Sequence, residues 1–196
     1  ILMSFGVWGI MASNVEQPHY RVISSEQGFE TRIYNTTITA DILVDGARKD
    51  AIKKGFKQLA GYIFGNNKPN SSIKMTAPVT QEKATKIEMT APVSQSREGD
   101  RWKVSFTMPA MYSMDTLPQP NDINIKLTEV PKRTVLVLQF SGRSSEKNVA
   151  DHAAKFMKYI KEKNIKTTGA MQYAFYNPPW TLPFLRRNEI MIKISD

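Results

Sequence analysis

IKMTAPV at residues 73–79 returns almost unchanged as IEMTAPV at residues 87–93. In both copies Ile, Met, Ala and Val alternate with polar residues or proline, which is the period of a β-strand. Proline cannot donate to a strand ladder, so Pro78 and Pro92 are expected at strand ends or on a sheet edge. The repeat therefore predicts two equivalent strands rather than a catalytic motif, and the methionines of the apolar row are interpreted as packing residues.

The sequence around this repeat shows one plan twice. Residues 29–109 and residues 123–194 each contain an alternating strand pattern, then a helical stripe of apolar residues, then further strands. The helical stripes are Ile52, Phe56, Leu59 and Ile63 in the first half, and Val149, Ala153, Phe156 and Ile160 in the second. The other strands are expected at residues 29–44, 102–108, 123–127, 135–138, 173–176 and 190–194. This order predicts an α+β fold, with two helices on a mainly antiparallel sheet that could curve towards a barrel.

The first residues differ in character from the rest. Residues 1–12 carry no charge, and they are too few to span a bilayer as a helix, which takes roughly 20 residues. Their length suits the apolar core of a secretory signal peptide, with a packed strand as the alternative. We therefore separate residues 1–18 from a single domain at residues 19–196. Export to the periplasm or beyond is expected if residues 1–12 are a signal remnant, and a cytoplasmic location otherwise. Contact with a membrane is expected only through residues 1–12.

Composition narrows the classes of function. The chain is 41% hydrophobic and 23% charged, as a globular protein is, and the absence of Cys excludes thiolate chemistry. A net charge of +9 favours anionic partners, or is simply a lysine-rich surface. Nucleic acid is disfavoured because the lysines of the second helix interleave with acidic residues. No nucleophile motif, HExxH or glycine-rich phosphate loop is present, so a non-enzymatic protein is expected, and Glu30 and Glu189 are interpreted as structural.

Several further segments resemble one known family, the SOUL haem-binding proteins. Besides the doubled MTAPV they are WKVSFTMP at 102–109, LPQPND at 117–122, YNPPWTLP at 176–183 and RRNE at 186–189. The resemblance runs from about Gln17 to the C-terminus, in the order that the family uses. It implies a pseudo-twofold duplicated βαββ fold, a distorted eight-stranded barrel with two helices. It also implies a haem or porphyrin ligand.

The same resemblance implies a shallow apolar groove along the first helix, with basic side chains that pair with the propionates. Lys53 matches a basic position of that groove and Phe56 an apolar one, whereas Gly61 stands where a second basic residue is expected. Part of the apolar stripe must face the sheet, so not every member can line a groove. The expected ligand-binding residues are Arg48, Ile52, Lys53, Phe56 and Leu59.

An iron ligand is not evident in the sequence. In another member of the family a His between Arg and Tyr of the first strand is a proposed axial ligand, but here the triplet is Arg32-Ile33-Tyr34, and Ile cannot ligate iron. His152 on the second helix is the first candidate, against the simpler interpretation of a partly buried histidine. Weaker candidates are His19 and the phenolates of Tyr34, Tyr62 and Tyr173. No metal site is therefore expected. A carrier or sensor of apolar small molecules without haem, and a protein-interaction module, remain alternatives.

Overall fold

The computed structural model describes residues 15–68 and 84–195. Within these ranges the chain forms two α-helices, α1 (Arg48–Ile63) and α2 (Glu146–Glu162). The strands of the described ranges are β1 (Tyr20–Glu26), β2 (Phe29–Tyr34), β3 (Thr37–Val44), β4 (Asn67–Lys68), β5 (Val93–Glu98), β6 (Arg101–Thr107), β7 (Gln119–Pro120), β8 (Lys126–Val130), β9 (Arg133–Phe140), β10 (Thr167–Phe175) and β11 (Asn188–Ile194). In this part of the chain neither helix has the length and apolar content needed to cross a membrane.

Nine of the described strands form one antiparallel sheet in the order β1-β2-β9-β11-β10-β5-β6-β3-β8. The order is symmetric about the seam between β10 and β5, because β11 and β6, β9 and β3, and β2 and β8 take equivalent places on its two sides. The first strand of each half pairs with the other half, β2 with β9 and β8 with β3. These pairings confirm the predicted α+β class and the duplicated βαββ arrangement.

The sheet curls back on itself. β2 continues into β3 through residues 35–36, and β8 into β9 through residues 131–132, yet each of these pairs lies six places apart in the strand order. In a flat sheet six places span about 29 Å, whereas two connecting residues reach at most about 11 Å. β1 and β8 remain as edges, so the described strands form a strongly curled open sheet that does not close into a barrel.

Apolar side chains fill both faces of this sheet. One cluster packs α1 against β3 and β6, and a second packs α2 against β9 and β11. A third cluster, on the face away from the helices, is built around Val135 and Val137. Leu136 and Leu138 of the same strand point to α2 instead. The strand predicted at residues 135–138 is therefore confirmed, and apolar side chains cover both of its faces.

The repeated heptapeptide does not behave as predicted. Its first copy, residues 73–79, lies outside the described residues. In its second copy residues 87–92 are irregular, and β5 begins only at Val93. The prediction of a strand across the second copy is therefore wrong for all but its last residue.

Backbone hydrogen bonds explain this difference. The amide of Ile87 donates to the carbonyl of Ile63 at 2.8 Å, and the amide of Ala91 donates to that of Glu16 at 2.9 Å. Both partners lie outside the large sheet, so the segment bridges the end of α1 and the N-terminal region. Ile87 is fully buried, but Met89 is 41% exposed, which corrects its interpretation as a packing residue.

Two further strand predictions need correction, and two strands were not predicted. The expected strand at residues 123–127 is wrong in its first half, because Ile123 is 91% exposed and β8 begins at Lys126. The pattern of residues 29–44 is divided into β2 and β3. Neither β1 nor β5 was predicted, since their largely polar sequences, YRVISSE and VSQSRE, lack an apolar row.

α1 lies close to the sheet because small residues face it. Ala51 and Gly55 are buried, and a Cβ at position 55 would lie 2.7 Å from Cγ2 of Val104 on β6. Because Ala51 and Gly55 face the sheet, the larger Ile52 and Phe56 lie on one flank of the helix. The predicted stripe is therefore split: Leu59 faces the core while Phe56 remains at the surface.

We expect Gly55→Ala to lower the free energy of unfolding by about 1–3 kcal/mol, because the added methyl overpacks the contact with Val104. Gly61→Ala is the matched control, since no atom lies within 4 Å of a Cβ at position 61 of the same helix. It should stabilise the protein by up to about 1 kcal/mol through helix propensity. Urea unfolding measures both changes, and equal stability of the two variants would contradict the proposed close contact.

Candidate ligand-binding site

Three of the expected site residues share one flank of α1. Ile52 is half-buried, Phe56 is 39% exposed and Lys53 is exposed. Residues three and four apart on a helix are surface neighbours, so these side chains adjoin. The Phe56 ring also meets the ring of Phe106 edge-on, with 5.4 Å between centroids, which fixes its position. The flank therefore offers an apolar surface beside a cation.

The other two expected residues lie in interior contacts. Leu59 is fully buried in the core cluster under α1. Arg48 is also buried, with Nη2 2.9 Å from Oε1 of Glu146 at the start of α2 and donating to the carbonyl of Ser144 at 3.0 Å. The guanidinium of Arg48 thus joins the two helix N-termini across the seam of the molecule. The structure therefore brings together Ile52, Lys53 and Phe56, and separates Arg48 and Leu59 from them.

The opposite flank of α1 borders an open groove that sequence reasoning missed. Lys54, Lys57 and Gln58 line it on the helix, and the end of β3 lines it on the sheet, around a volume of about 640 Å³. Asp122 stands at its rim, held by Gln58 at 3.2 Å. The groove is more polar than the Ile52–Phe56 flank and lacks its exposed aromatic ring.

The histidine candidate lies in the other half of the molecule. His152 stacks on Phe140 at 4.2 Å between centroids, and its Nδ1 lies 2.8 Å from the carbonyl oxygen of Asn148. It therefore belongs to the layer between α2 and β9, away from the flank of α1. Within residues 15–68 and 84–195 no three His, Cys, Asp or Glu side chains form a cluster suited to a metal ion.

A buried ionic cluster lies on the sheet face away from the helices. The carboxylate of Glu189, which is fully buried, accepts from Nη1 of Arg32 at 2.9 Å and from Nη2 of Arg187 at 2.7 Å. The hydroxyl of Tyr176 donates to its other oxygen at 2.7 Å. Burial, and then the negative charge of Glu189, raise the pKa of the Tyr176 hydroxyl. Each charge has a partner, which agrees with the structural role expected for Glu189.

Beside this cluster the curled sheet forms a small cleft of about 60 Å³, whose lining includes Asp41 and Arg133. A second cavity of about 290 Å³, called the outer cavity, adjoins it at Thr107, which lines both. The lining of the outer cavity includes Ile38, Met108 and Tyr112. Asp41 on β3 and Arg133 on β9 are far apart in the strand order, and only the curl of the sheet brings them to one cavity. No sequence signal pointed to this pair.

A curled, duplicated α+β sheet with two outer helices defines a class of fold, and comparison with known proteins identifies the family within it. The family model for the SOUL heme-binding protein matches residues 15–193. The chain belongs to this family.

Two relatives bear the family's name. Heme-binding protein 2 of Mus musculus is 26% identical over 168 residues, covering 84% of this chain and 77% of the relative. Heme-binding protein 1 of Sus scrofa is 26% identical over 190 residues, covering 94% and 89%. Among solved structures, the C-terminal domain of EcmrR superposes with a TM-score of 0.54 at 11% identity, over 90% of this chain and 98% of that domain. At this identity the superposition shows a shared fold and nothing about a ligand.

The ionic cluster predicts a strong dependence on Glu189. Glu189→Gln should lower the free energy of unfolding by about 3–5 kcal/mol, because it leaves two buried or half-buried guanidinium groups without their shared counter-charge. The control is Glu98→Gln, whose carboxylate is exposed and lies 3.8 Å from Lys103; we expect a change of at most about 1 kcal/mol there. Denaturant unfolding measures both variants. Similar losses in the two would show that the buried cluster contributes no special stability.

Proposed function

We propose that this protein binds haem or another tetrapyrrole on the outer flank of α1 and acts by binding rather than by catalysis. The observation that carries the proposal is the exposed ring of Phe56 beside Ile52 and Lys53, on a helix whose close packing leaves that flank outside the core. The family name, and the names of both relatives, support a tetrapyrrole over other flat apolar molecules.

The charges along α1 suit the ligand's carboxylates. A tetrapyrrole such as haem carries an apolar macrocycle and two propionates. Lys49 and Lys53 are both exposed and lie four residues apart, so they adjoin on the helix surface. These two lysines can pair with two propionates while Ile52 and Phe56 contact the macrocycle. Arg48, the other cation expected at the site, is paired with Glu146.

Recognition at this site does not involve the iron. The flank consists of aliphatic, aromatic and lysine side chains, none of which is an ordinary haem ligand. The protein then recognises the ring and its carboxylates, and iron-free protoporphyrin should bind about as tightly as haem. Binding of haem alone, with a sharp shift of its main absorbance band, would contradict this and direct attention to His152.

A charge reversal tests the site directly. Lys53→Glu should weaken binding of protoporphyrin about tenfold or more, since one favourable ion pair becomes repulsive. Lys161→Glu, an exposed lysine on α2, is the matched control and should leave affinity unchanged. Fluorescence quenching titrations give both dissociation constants. Equal affinities for the two variants would exclude the α1 flank, and no saturation by either porphyrin would exclude the function itself.

The cleft of the curled sheet favours a second candidate function, the carriage of a small anion that has an apolar body. Within the described residues, Oδ1 of Asp41 and Nη1 of Arg133 are buried without a hydrogen-bond partner. Burial lowers the pKa of the Arg133 guanidinium, so a bound anion would stabilise its charge. A ligand with an apolar body for the outer cavity and a polar head with both a donor and an acceptor would match the two groups.

Anilinonaphthalene sulfonate has this chemistry and is fluorescent. Arg133→Met should weaken its binding at least about fivefold, the loss expected when a charge-assisted hydrogen bond disappears, whereas Arg101→Met, an exposed surface change, should not. Lys53→Glu should leave dye binding intact, and Arg133→Met should leave porphyrin binding intact. Loss of both ligands in either variant would show that there is one site and not two.

A further inference from the structure

The connection between β10 and β11 displays an unusual amount of apolar surface. Four large side chains in a run of six residues are between 55% and 71% exposed: Trp180, Leu182, Phe184 and Leu185. Single exposed apolar residues are ordinary on proteins, but a contiguous group of this kind marks an interaction site. We call residues 177–186 the apolar loop.

Hydrogen bonds at its base and in its turns hold the apolar loop in one shape. At the base, the amide of Tyr176 donates to the carbonyl of Arg187 at 3.2 Å, and the amide of Arg187 donates to Oδ1 of Asn177 at 2.6 Å. Inside the loop, a 3-10 turn at Pro183–Leu185 follows a second turn in which the amide of Thr181 donates to the carbonyl of Pro178. The exposed side chains are therefore presented by an ordered backbone.

Two further contacts fix the loop from within and from outside. The guanidinium of Arg186 donates from Nε to the carbonyl of Thr181 at 2.8 Å and from Nη2 to the carbonyl of Pro179. From outside, the amide of Gly142, between β9 and α2, donates to the carbonyl of Pro183 at 2.8 Å. A loop held in this way cannot turn its apolar side chains inward, and it loses little conformational entropy when a partner covers them.

The charges around the apolar loop are positive. The apolar loop, residues 177–186, includes one arginine and no Asp or Glu, while the neighbouring Arg187 is paired with the buried Glu189. Arg186 carries its charge inside the loop, and Arg143, next to the anchoring Gly142, is exposed. The chain as a whole carries a net charge of +9. The partner of this surface is therefore expected to be both apolar and anionic.

The area of the exposed apolar side chains favours a membrane over a protein as the partner of the apolar loop. Four partly exposed side chains of this kind present on the order of 400 Å², whereas a stable protein interface buries about 800 Å² on each partner. Binding to a membrane surface needs a smaller contact area, because Trp, Phe and Leu side chains enter the headgroup region individually. Nearby Arg residues can pair with the phosphate and carboxylate groups of the lipids. We propose that the apolar loop docks this protein onto membranes that contain anionic lipids.

The apolar loop includes none of residues 1–12 and none of the residues assigned to the flank of α1, so the proposal does not rest on the proposed tetrapyrrole function. The test uses the full chain with vesicles of phosphatidylcholine, with and without phosphatidylserine. The protein should sediment with the phosphatidylserine vesicles at low salt, and Trp180 fluorescence should shift to shorter wavelength. Added salt should reduce binding, since part of the attraction is electrostatic.

Variants locate the contact. The double variant with Trp180→Ser and Phe184→Ser should lower the partition of the protein into phosphatidylserine vesicles at least tenfold. Met111→Ser with Ile123→Ser, which removes two exposed apolar side chains elsewhere, is the matched control and should bind like the unaltered chain. Trp180→Phe should keep binding and lose the fluorescence shift, which tests the contact without relying on the double variant. The proposal is overturned if the unaltered chain does not sediment with these vesicles, if both double variants bind equally, or if the shift persists in Trp180→Phe.

Discussion

Two connections of two residues each constrain the whole molecule. Residues 35–36 and 131–132 join strands that lie six places apart in the sheet, and such short links are possible only if the sheet curls through most of a turn. Both links arise because the first strand of each half pairs with a strand of the other half, β2 with β9 and β8 with β3. The duplicated plan of the sequence is therefore also the cause of the curl.

The curl gives the two faces of the sheet different chemistry. The outer face is covered by helices and has an ordinary apolar core. The inner face is closed in by the sheet itself, so charged side chains on its strands lose water and must find partners. Arg32 and Glu189, on strands that flank β9, satisfy one another there at 2.9 Å. Asp41 and Arg133 face the same enclosed side with an unpartnered atom each, which is why a ligand with complementary groups suits that cleft.

The sequence predicts the repeated plan and both helices through their apolar periods, and the strand at residues 135–138 through its continuous apolar run. It does not predict β5, whose residues are mostly polar and take their place through pairing with β6 and β10. It also misplaces the second heptapeptide, since nothing local shows that the amide of Ile87 will bond to the end of α1. For the site, the family resemblance pointed to Phe56 and Lys53 as expected groove residues, but only the packing of Gly55 against Val104 decides which apolar residues of α1 stay outside the core.

The two halves differ in how their helices pack on the sheet. α2 presents the large Val149, Phe156 and Ile160 to its strands, and these fill its core. α1 presents Ala51 and Gly55 in its first half, where it lies close to its strands, and buries the large Leu59, Tyr62 and Ile63 further along. A helix that packs through small residues can place Ile52 and Phe56 at its margin without leaving a cavity beneath them. The small residues in the first half of α1 thus leave Ile52 and Phe56 on a partly exposed apolar flank, the surface that we propose binds a tetrapyrrole.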